Sequence, residues 1–203
     1  MTVRQADLKN QQILLLLSAD RIIDMLLRNR KTGLVDVAVK KNLSAEDIPS
    51  LLDLQAFVAD CDNLREIFQP ETKETFLEDL TDYGTGVGIF VNGRIIAYAI
   101  LRIPHDKADN LGLDAQLPKE ELDFVAHLET VTVHPDYRGN GLQAKLAMYL
   151  EENAKAAGIH YILCTISPKN THSLSSTLKL GYGIIAEKYK YGDKLRYILM
   201  KKV

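Results

Sequence analysis

Val131-Thr132-Val133-His134-Pro135-Asp136-Tyr137-Arg138-Gly139-Asn140-Gly141-Leu142-Gln143 is the stretch that decides the fold. It begins inside Leu128-Glu129-Thr130-Val131-Thr132-Val133, an alternating, β-branched run that predicts a strand. After it, Leu142, Leu146, Leu150 and Ala154 recur every four residues, which predicts an amphipathic helix, with Gly158 as its stop. The glycines therefore fall in a strand-to-helix turn. There the first backbone N–H groups of the helix have no internal partner, and the macrodipole adds partial positive charge. Gly139 and Gly141 carry no Cβ, so a ligand can approach the main chain closely. Arg138 adds a permanent cation. Together these predict an anion site, for a phosphate or diphosphate. A P-loop is disfavoured, because no Gly-Lys-Ser/Thr follows.

The chain has 203 residues, enough for one good-sized domain with its own core. Hydrophobic residues make up 46% and charged residues 26%, the balance of an ordinary globular chain. A formal net charge of −2 gives no bulk attraction for nucleic acid or membrane, and neither is expected as a partner. Cys61 and Cys164 are far apart and lack metal-ligand spacing, so free thiols, no metal site and a reducing, cytoplasmic location are expected. The apolar run at 13–17 is too short to span a bilayer and lacks the flanks of a signal peptide.

Working outward, Ile13, Leu16, Leu17, Ile22, Ile23, Leu26 and Leu27 suggest one or two helices within residues 1–32. Residues 34–39 alternate as a first strand. A helix follows to about Val58, capped by Ser44 or Asp47, with Pro49 in its first turn. A second helix is predicted over 73–83. Residues 87–91 and 94–100 flank Asn92-Gly93 and form a hairpin. The connection at 105–123 has an acidic excess, including Asp106, Asp109, Asp114, Glu120, Glu121 and Asp123. It reads first as a solvated loop and second as an attractor of a cationic amine. Residues 160–165 form a buried parallel strand, 173–180 a short helix, and 182–191 with 195–201 a closing hairpin around Gly192-Asp193.

Arg138-Gly139-Asn140-Gly141-Leu142-Gln143, set between such a strand and helix, resembles the acetyl-coenzyme A motif of the GNAT N-acetyltransferases. That motif runs Arg or Gln, two residues, Gly, one residue, Gly or Ala; Gln143 departs from it at the last place. Asn170-Thr171-His172-Ser173, followed by Gly181-Tyr182, resembles the family's second motif, with Thr177 where many members carry Tyr. The resemblance implies an α/β fold of GNAT type: a mixed central sheet of about six to seven strands flanked by helices, with an extra N-terminal helical segment. The corresponding division is 1–32 as a helical extension and 33–203 as the acetyltransferase domain.

The resemblance also implies acetyl-CoA as cosubstrate and an amine, of a small molecule or a protein, as acceptor, in a possible homodimer. The diphosphate would lie on the turn formed by Arg138, Gly139, Asn140, Gly141, Leu142, Gln143 and Ala144. The pantetheine arm would pair with the backbone of Val131, Thr132 and Val133 and meet Asn170 and Ser173. Glu129, two residues before Val131, is the first candidate for the base that deprotonates the amine, and His127 on the same strand face is the second. Their alternatives are a solvated strand charge and a hydrogen-bonded structural histidine. Loss of the usual Tyr at Thr177 leaves the general acid unassigned, with water or a tyrosine of the tail as substitutes. It also keeps open a non-catalytic acyl-CoA sensing module, beside an acyltransferase using a longer acyl group. The loop from 61 to 69, with Phe57 and Phe68, is expected to face the acceptor.

Overall fold

The computed structural model describes residues 25–61, 67–105 and 107–203. These form one sheet of eight strands in the order β1-β2-β3-β4-β5-β6-β8-β7. The strands are β1 (Met25–Arg28), β2 (Val35–Asn42), β3 (Gly84–Val91), β4 (Arg94–Arg102), β5 (Val125–Val133), β6 (Tyr161–Ile166), β7 (Gly183–Lys190) and β8 (Lys194–Lys202). The helices are α1 (Ile48–Cys61), α2 (Lys73–Thr81), α3 (Leu111–Asp114), α4 (Leu142–Ala156) and α5 (Thr171–Lys179). Every neighbouring pair is antiparallel except β5 and β6. The β5–α4–β6 connection is the crossover that a parallel pair requires.

Both faces of the sheet are covered, which explains why β4 is apolar without alternation. Ala97, Ala99 and Leu101 face α4, whose buried stripe is Leu142, Leu146, Leu150 and Ala154. Tyr98 and Ile100 face α1 and α2, packing with Leu51, Leu54, Val58 and Phe76. The Asn92-Gly93 turn adopts φ of 49° and 77°, the left-handed pair that its residues predict. The Asp47 carboxylate accepts from the Ser44 N–H at 3.0 Å, so both cap candidates act in one box ahead of α1.

Two expectations need correction. The sheet has eight strands rather than six or seven, because Leu26 and Leu27, assigned to a helix by periodicity, lie in edge strand β1. There Leu27 is fully buried against the α4-side core and Leu26 is 67% exposed, the alternation of a strand. The helices expected over the more N-terminal apolar residues lie outside the described residues.

β5 carries an extra residue. Leu101 pairs with Leu128 and Ala99 with Val131, so Ile100 alone opposes both Glu129 and Thr130. This bulge shifts the alternation. Ala126 and Leu128 before it, and Val131 and Val133 after it, all pack on the α4 side. The Thr130 hydroxyl meanwhile reaches the opposite face, donating to Glu71 Oε1 at 3.3 Å.

Candidate active site

The turn after β5 is built as the sequence predicts. Gly139 and Gly141 have φ of 85° and 69°, and a Cβ at either would meet nothing within 4 Å. The positive φ therefore demands glycine, while the space above the turn stays open. Gly141 caps α4 in a left-handed conformation, and no side chain caps that helix. The N–H groups of Leu142, Gln143 and Ala144 therefore keep the unpaired state of a helix N-terminus. The Leu142 side chain is buried in the core, so only its main chain is available to a ligand.

Other residues of the turn brace it. The Asn140 side chain accepts from the Arg28 N–H and donates to the Arg28 carbonyl, both at 3.0 Å, and donates to the Tyr137 carbonyl at 2.8 Å. It is thus spent on joining β1 to the turn. Tyr137 donates its hydroxyl to Asp36 at 2.8 Å, and the Arg30 N–H donates to the Asp136 carbonyl at 2.7 Å. Gln143 reaches Ser173 Oγ at 3.4 Å, linking α4 to α5. Asn170 caps α5 by accepting from the Ser173 N–H at 3.1 Å. His134 Nδ1 accepts from the Asp136 N–H at 3.2 Å, and its ring stacks on Phe57 with centroids 4.8 Å apart.

β5 and β6 pair only at Val125–Tyr161, Ala126–Ile162 and His127–Leu163. Beyond His127 the strands part. Glu129, Val131, Thr132 and Val133 thus lie on a strand whose β6-facing edge has no ladder partner among the described residues. An extended chain can add itself to such an edge.

Glu129 stands where the strands part, with its side chain 19% exposed. His127 is 3% exposed and lies behind it. The Leu111 N–H donates to His127 Nε2 at 2.9 Å, so that nitrogen carries the lone pair. The proton is therefore on Nδ1, which donates to Glu129 Oε1 at 3.0 Å. Arg102 ties three carboxylates together: Nη1 is 2.6 Å from Asp109 and 3.6 Å from Glu129, and Nε is 3.3 Å from Asp79. Burial raises the Glu129 pKa, but the His127 hydrogen bond and the charge of Arg102 outweigh it and hold the carboxyl below its ordinary range. Glu71 and Asp79 behave oppositely. Burial first, and the charge of Glu129 second, push each up to about 7.

Glu71 was not legible as a site residue, since it sits between two predicted helices with no motif around it. Gln55, buried on α1, fixes it: its amide accepts from the Glu71 N–H at 2.9 Å and donates to the Glu71 carbonyl at 2.8 Å. The other residues missed are Arg102, Tyr191 and Arg196. Tyr191, at the tip of the β7–β8 hairpin, meets Thr165 Oγ1 at 3.1 Å near the end of β6. Its hydroxyl pKa is raised by burial and by the charges of Glu129 and Glu71, against the pull of Thr165 and Arg196. The hairpin is sewn to the segment after the expected acceptor loop. Lys194 Nζ donates to the Phe68 carbonyl and Gln69 Oε1, each at 3.0 Å, and Arg196 Nη1 donates to the Ile67 carbonyl at 2.8 Å. Residues 62–66 of that loop lie outside the described residues.

Of the tail tyrosines, Tyr182 is 3% exposed and belongs to the core, and Thr177 is likewise buried, at 4%. Two acids of the connection are paired with cations within the chain, Asp109 with Arg102 and Asp114 with Lys188 and Lys190, and the Glu121 carboxylate lies 3.0 Å from His160 Nδ1. Among the described residues no helix is long and apolar enough to cross a membrane.

Comparison with known proteins agrees with this architecture. The chain is 35% identical over 65 residues to the L-amino acid N-acyltransferase MnaT of Escherichia coli (strain K12). That stretch covers 32% of this chain and 38% of the relative's length. The ribosomal-protein-S18-alanine N-acetyltransferase from Escherichia coli superposes with a TM-score of 0.60 at 16% identity, covering 82% of this chain and 94% of its own. YncA from Salmonella typhimurium, a putative acetyltransferase solved with acetyl-CoA, does so with 0.60 at 17%, covering 81% and 93%. The PaiA N-acetyltransferase from Thermoplasma acidophilum, in complex with coenzyme A, gives 0.60 at 17%, covering 82% and 99%. At such identities these three speak for the fold. The model of the Acetyltransferase (GNAT) family matches residues 53–182, from α1 through the strand-to-helix turn to the residue before β7, and the chain belongs to that family.

Proposed function

We propose that the protein transfers acetyl from acetyl-CoA to a primary amine by direct attack. The observation that carries this is Glu129: an ionised carboxylate, held by His127 and Arg102, at the point where β5 leaves β6 and one short run before the open glycine turn. The donor set fits the cosubstrate. Open main-chain N–H groups at the N-terminus of α4 suit a diphosphate, and the unpaired edge of β5 suits a peptide-like arm. Arg138 and the backbone of Gly139, Asn140, Gly141, Leu142, Gln143 and Ala144 hold the diphosphate. Val131, Thr132 and Val133 pair with the arm, and Asn170 and Ser173 border it at the start of α5.

Bound there, acetyl-CoA supplies an acyl group activated as a thioester. A backbone N–H of β5 polarises the thioester carbonyl. An alkylammonium, with pKa about 10.4, must lose a proton before it attacks. Glu129 holds the cation, and Glu71, near 7, is the member of the pair matched to accept that proton, directly or through water. The nitrogen then forms a bond to the carbonyl carbon, the carbon–sulfur bond breaks, and sulfur leaves with the electron pair. The second proton released by the nitrogen balances the thiolate, whose conjugate acid, of pKa about 8.5, makes it a tolerable leaving group without a dedicated acid. His127 positions Glu129, since both its ring nitrogens are engaged.

Thiol release from acetyl-CoA, followed with a panel of primary amines, tests this. Amine-dependent release with one acetylated amine per thiol is expected. Coenzyme binding without transfer to any amine would instead support the sensing module that Thr177 leaves open.

A further inference from the structure

Arg196 lies on β8, 5% exposed, beside the acceptor side of the cleft. Its Nη1 is used by the Ile67 carbonyl. Its Nε and Nη2 meet no acceptor among the described residues. Those two atoms present the parallel N–H pair along one edge of the guanidinium, the edge that grips a carboxylate bidentately. Burying a cation without a counter-charge is costly, and a buried unpaired donor needs an explanation. Arg102 shows the contrast, being paired to Asp79, Asp109 and Glu129.

The surroundings of Arg196 supply the explanation. The Tyr191 ring lies over its guanidinium, 5.5 Å from Cζ. The same tyrosine reaches Thr165 at the open end of β6 and feels the charges of Glu129 and Glu71. The cleft therefore has an acidic pole, at Glu129 and Glu71, and a buried basic pole, at the unpartnered Nε–Nη2 edge of Arg196, with Tyr191 common to both. A polyamine would satisfy the first pole and leave the second unpaired. A molecule carrying an amine and a carboxylate satisfies both. The hydrogen bonds from Lys194 and Arg196 to residues 67–69 close the hairpin against the opposite wall, which favours a small acceptor over a peptide chain.

We propose that the acceptor is a free amino acid, its amine at Glu129 and Glu71 and its carboxylate on the Nε–Nη2 edge of Arg196. This rests on the acyl-transfer reading above and narrows it to a substrate class.

The test compares L-leucine, L-methionine and L-phenylalanine with their decarboxylated amines and their carboxamides, using acetyl-CoA and the full chain. The amino acids are expected to exceed both sets of analogues in kcat/KM by tenfold or more. Arg196→Gln is expected to lower kcat/KM for the amino acids roughly tenfold to a hundredfold through KM, as loss of a charge-assisted fork should. The KM for acetyl-CoA should stay unchanged, and the rate with decarboxylated amines should fall far less than that with the amino acids. Arg196→Lys, which keeps the charge and loses the fork, should fall between. Equal or better use of the amines or carboxamides by the unaltered protein overturns the proposal, as does an unchanged preference in Arg196→Gln. If no compound is acetylated, the acyl-transfer reading fails separately. Calorimetry of the same compounds into coenzyme A-loaded protein then decides the subsite: binding of the amino acids, lost in Arg196→Gln, supports it, and no binding overturns it.

Discussion

His127 donates through Nδ1 to Glu129 Oε1 across 3.0 Å, and the tautomer that permits this is fixed by the Leu111 N–H donating to Nε2 at 2.9 Å. A histidine held from both ends orients its neighbour and does not itself shuttle protons. Nitrogen-15 NMR of the imidazoles should show the Nδ1–H tautomer for His127. His127→Phe leaves a buried N–H and a carboxylate short of a partner, so urea unfolding should show a loss of about 1–3 kcal/mol.

Glu129→Gln removes the charge and keeps the shape. Turnover should fall by roughly a hundredfold, as when the group that positions the reacting ammonium is lost, while the KM for acetyl-CoA changes little. Steady-state kinetics in both substrates separates the two effects; unchanged turnover would remove Glu129 from the chemistry.

Glu71 and Asp79 make a prediction about pH. Their folded pKa values, about 7, exceed their ordinary values of 4.5 and 3.8. From about pH 4.5 to 7 the folded state keeps protons that the unfolded chain has shed, so stability falls as pH rises through that window and levels off above it. The carboxylates held low, Asp47, Asp109, Asp114 and Glu129, act with the opposite sign and only at more acid pH. Thermal melts from pH 5 to 8 should show a declining Tm, and Asp79→Asn should flatten that decline. The acyl-transfer rate should rise with pH through the same region as Glu71 ionises.

At the turn, a side chain on Gly141 meets no neighbour, so the cost of Gly141→Ala is conformational, about 1–2 kcal/mol at a φ of 69°. Gly141→Asn, which tolerates that conformation better, should recover much of the stability and still weaken acetyl-CoA binding, because its side chain occupies the approach. Chemical denaturation and calorimetry on the two variants distinguish these effects.

What the sequence disclosed follows from how local each signal is. The β5 turn and α4 declare themselves through adjacent glycines and a four-residue stripe, and the Asn92-Gly93 hairpin through its turn pair; all three stand where the pattern places them. Leu26 and Leu27 misled because two leucines beside an apolar run satisfy a helix as well as an edge strand, and only pairing with Val37 and Asp36 decides between them. In the candidate site, Glu129 was legible from its place two residues before Val131 in the resemblance, and His127 from the alternation of the same strand. Glu71 and Arg196 were not, because they enter from residues far along the chain. Glu71 is set by a buried Gln55 and Arg196 by a hairpin that folds back on residues 67–69. The Glu129–Thr130 bulge was likewise hidden, since an extra residue in a strand appears only against its partner.

The central claim is that acetyl-CoA lies along the open edge of β5 and on the N-terminus of α4. Amide NMR of the protein titrated with acetyl-CoA tests it most directly. Saturable one-to-one shifts centred on Val131, Thr132, Val133, Gly139, Gly141, Leu142, Gln143 and Ala144 are predicted. Shifts confined to another surface, or none at millimolar cosubstrate, would contradict it.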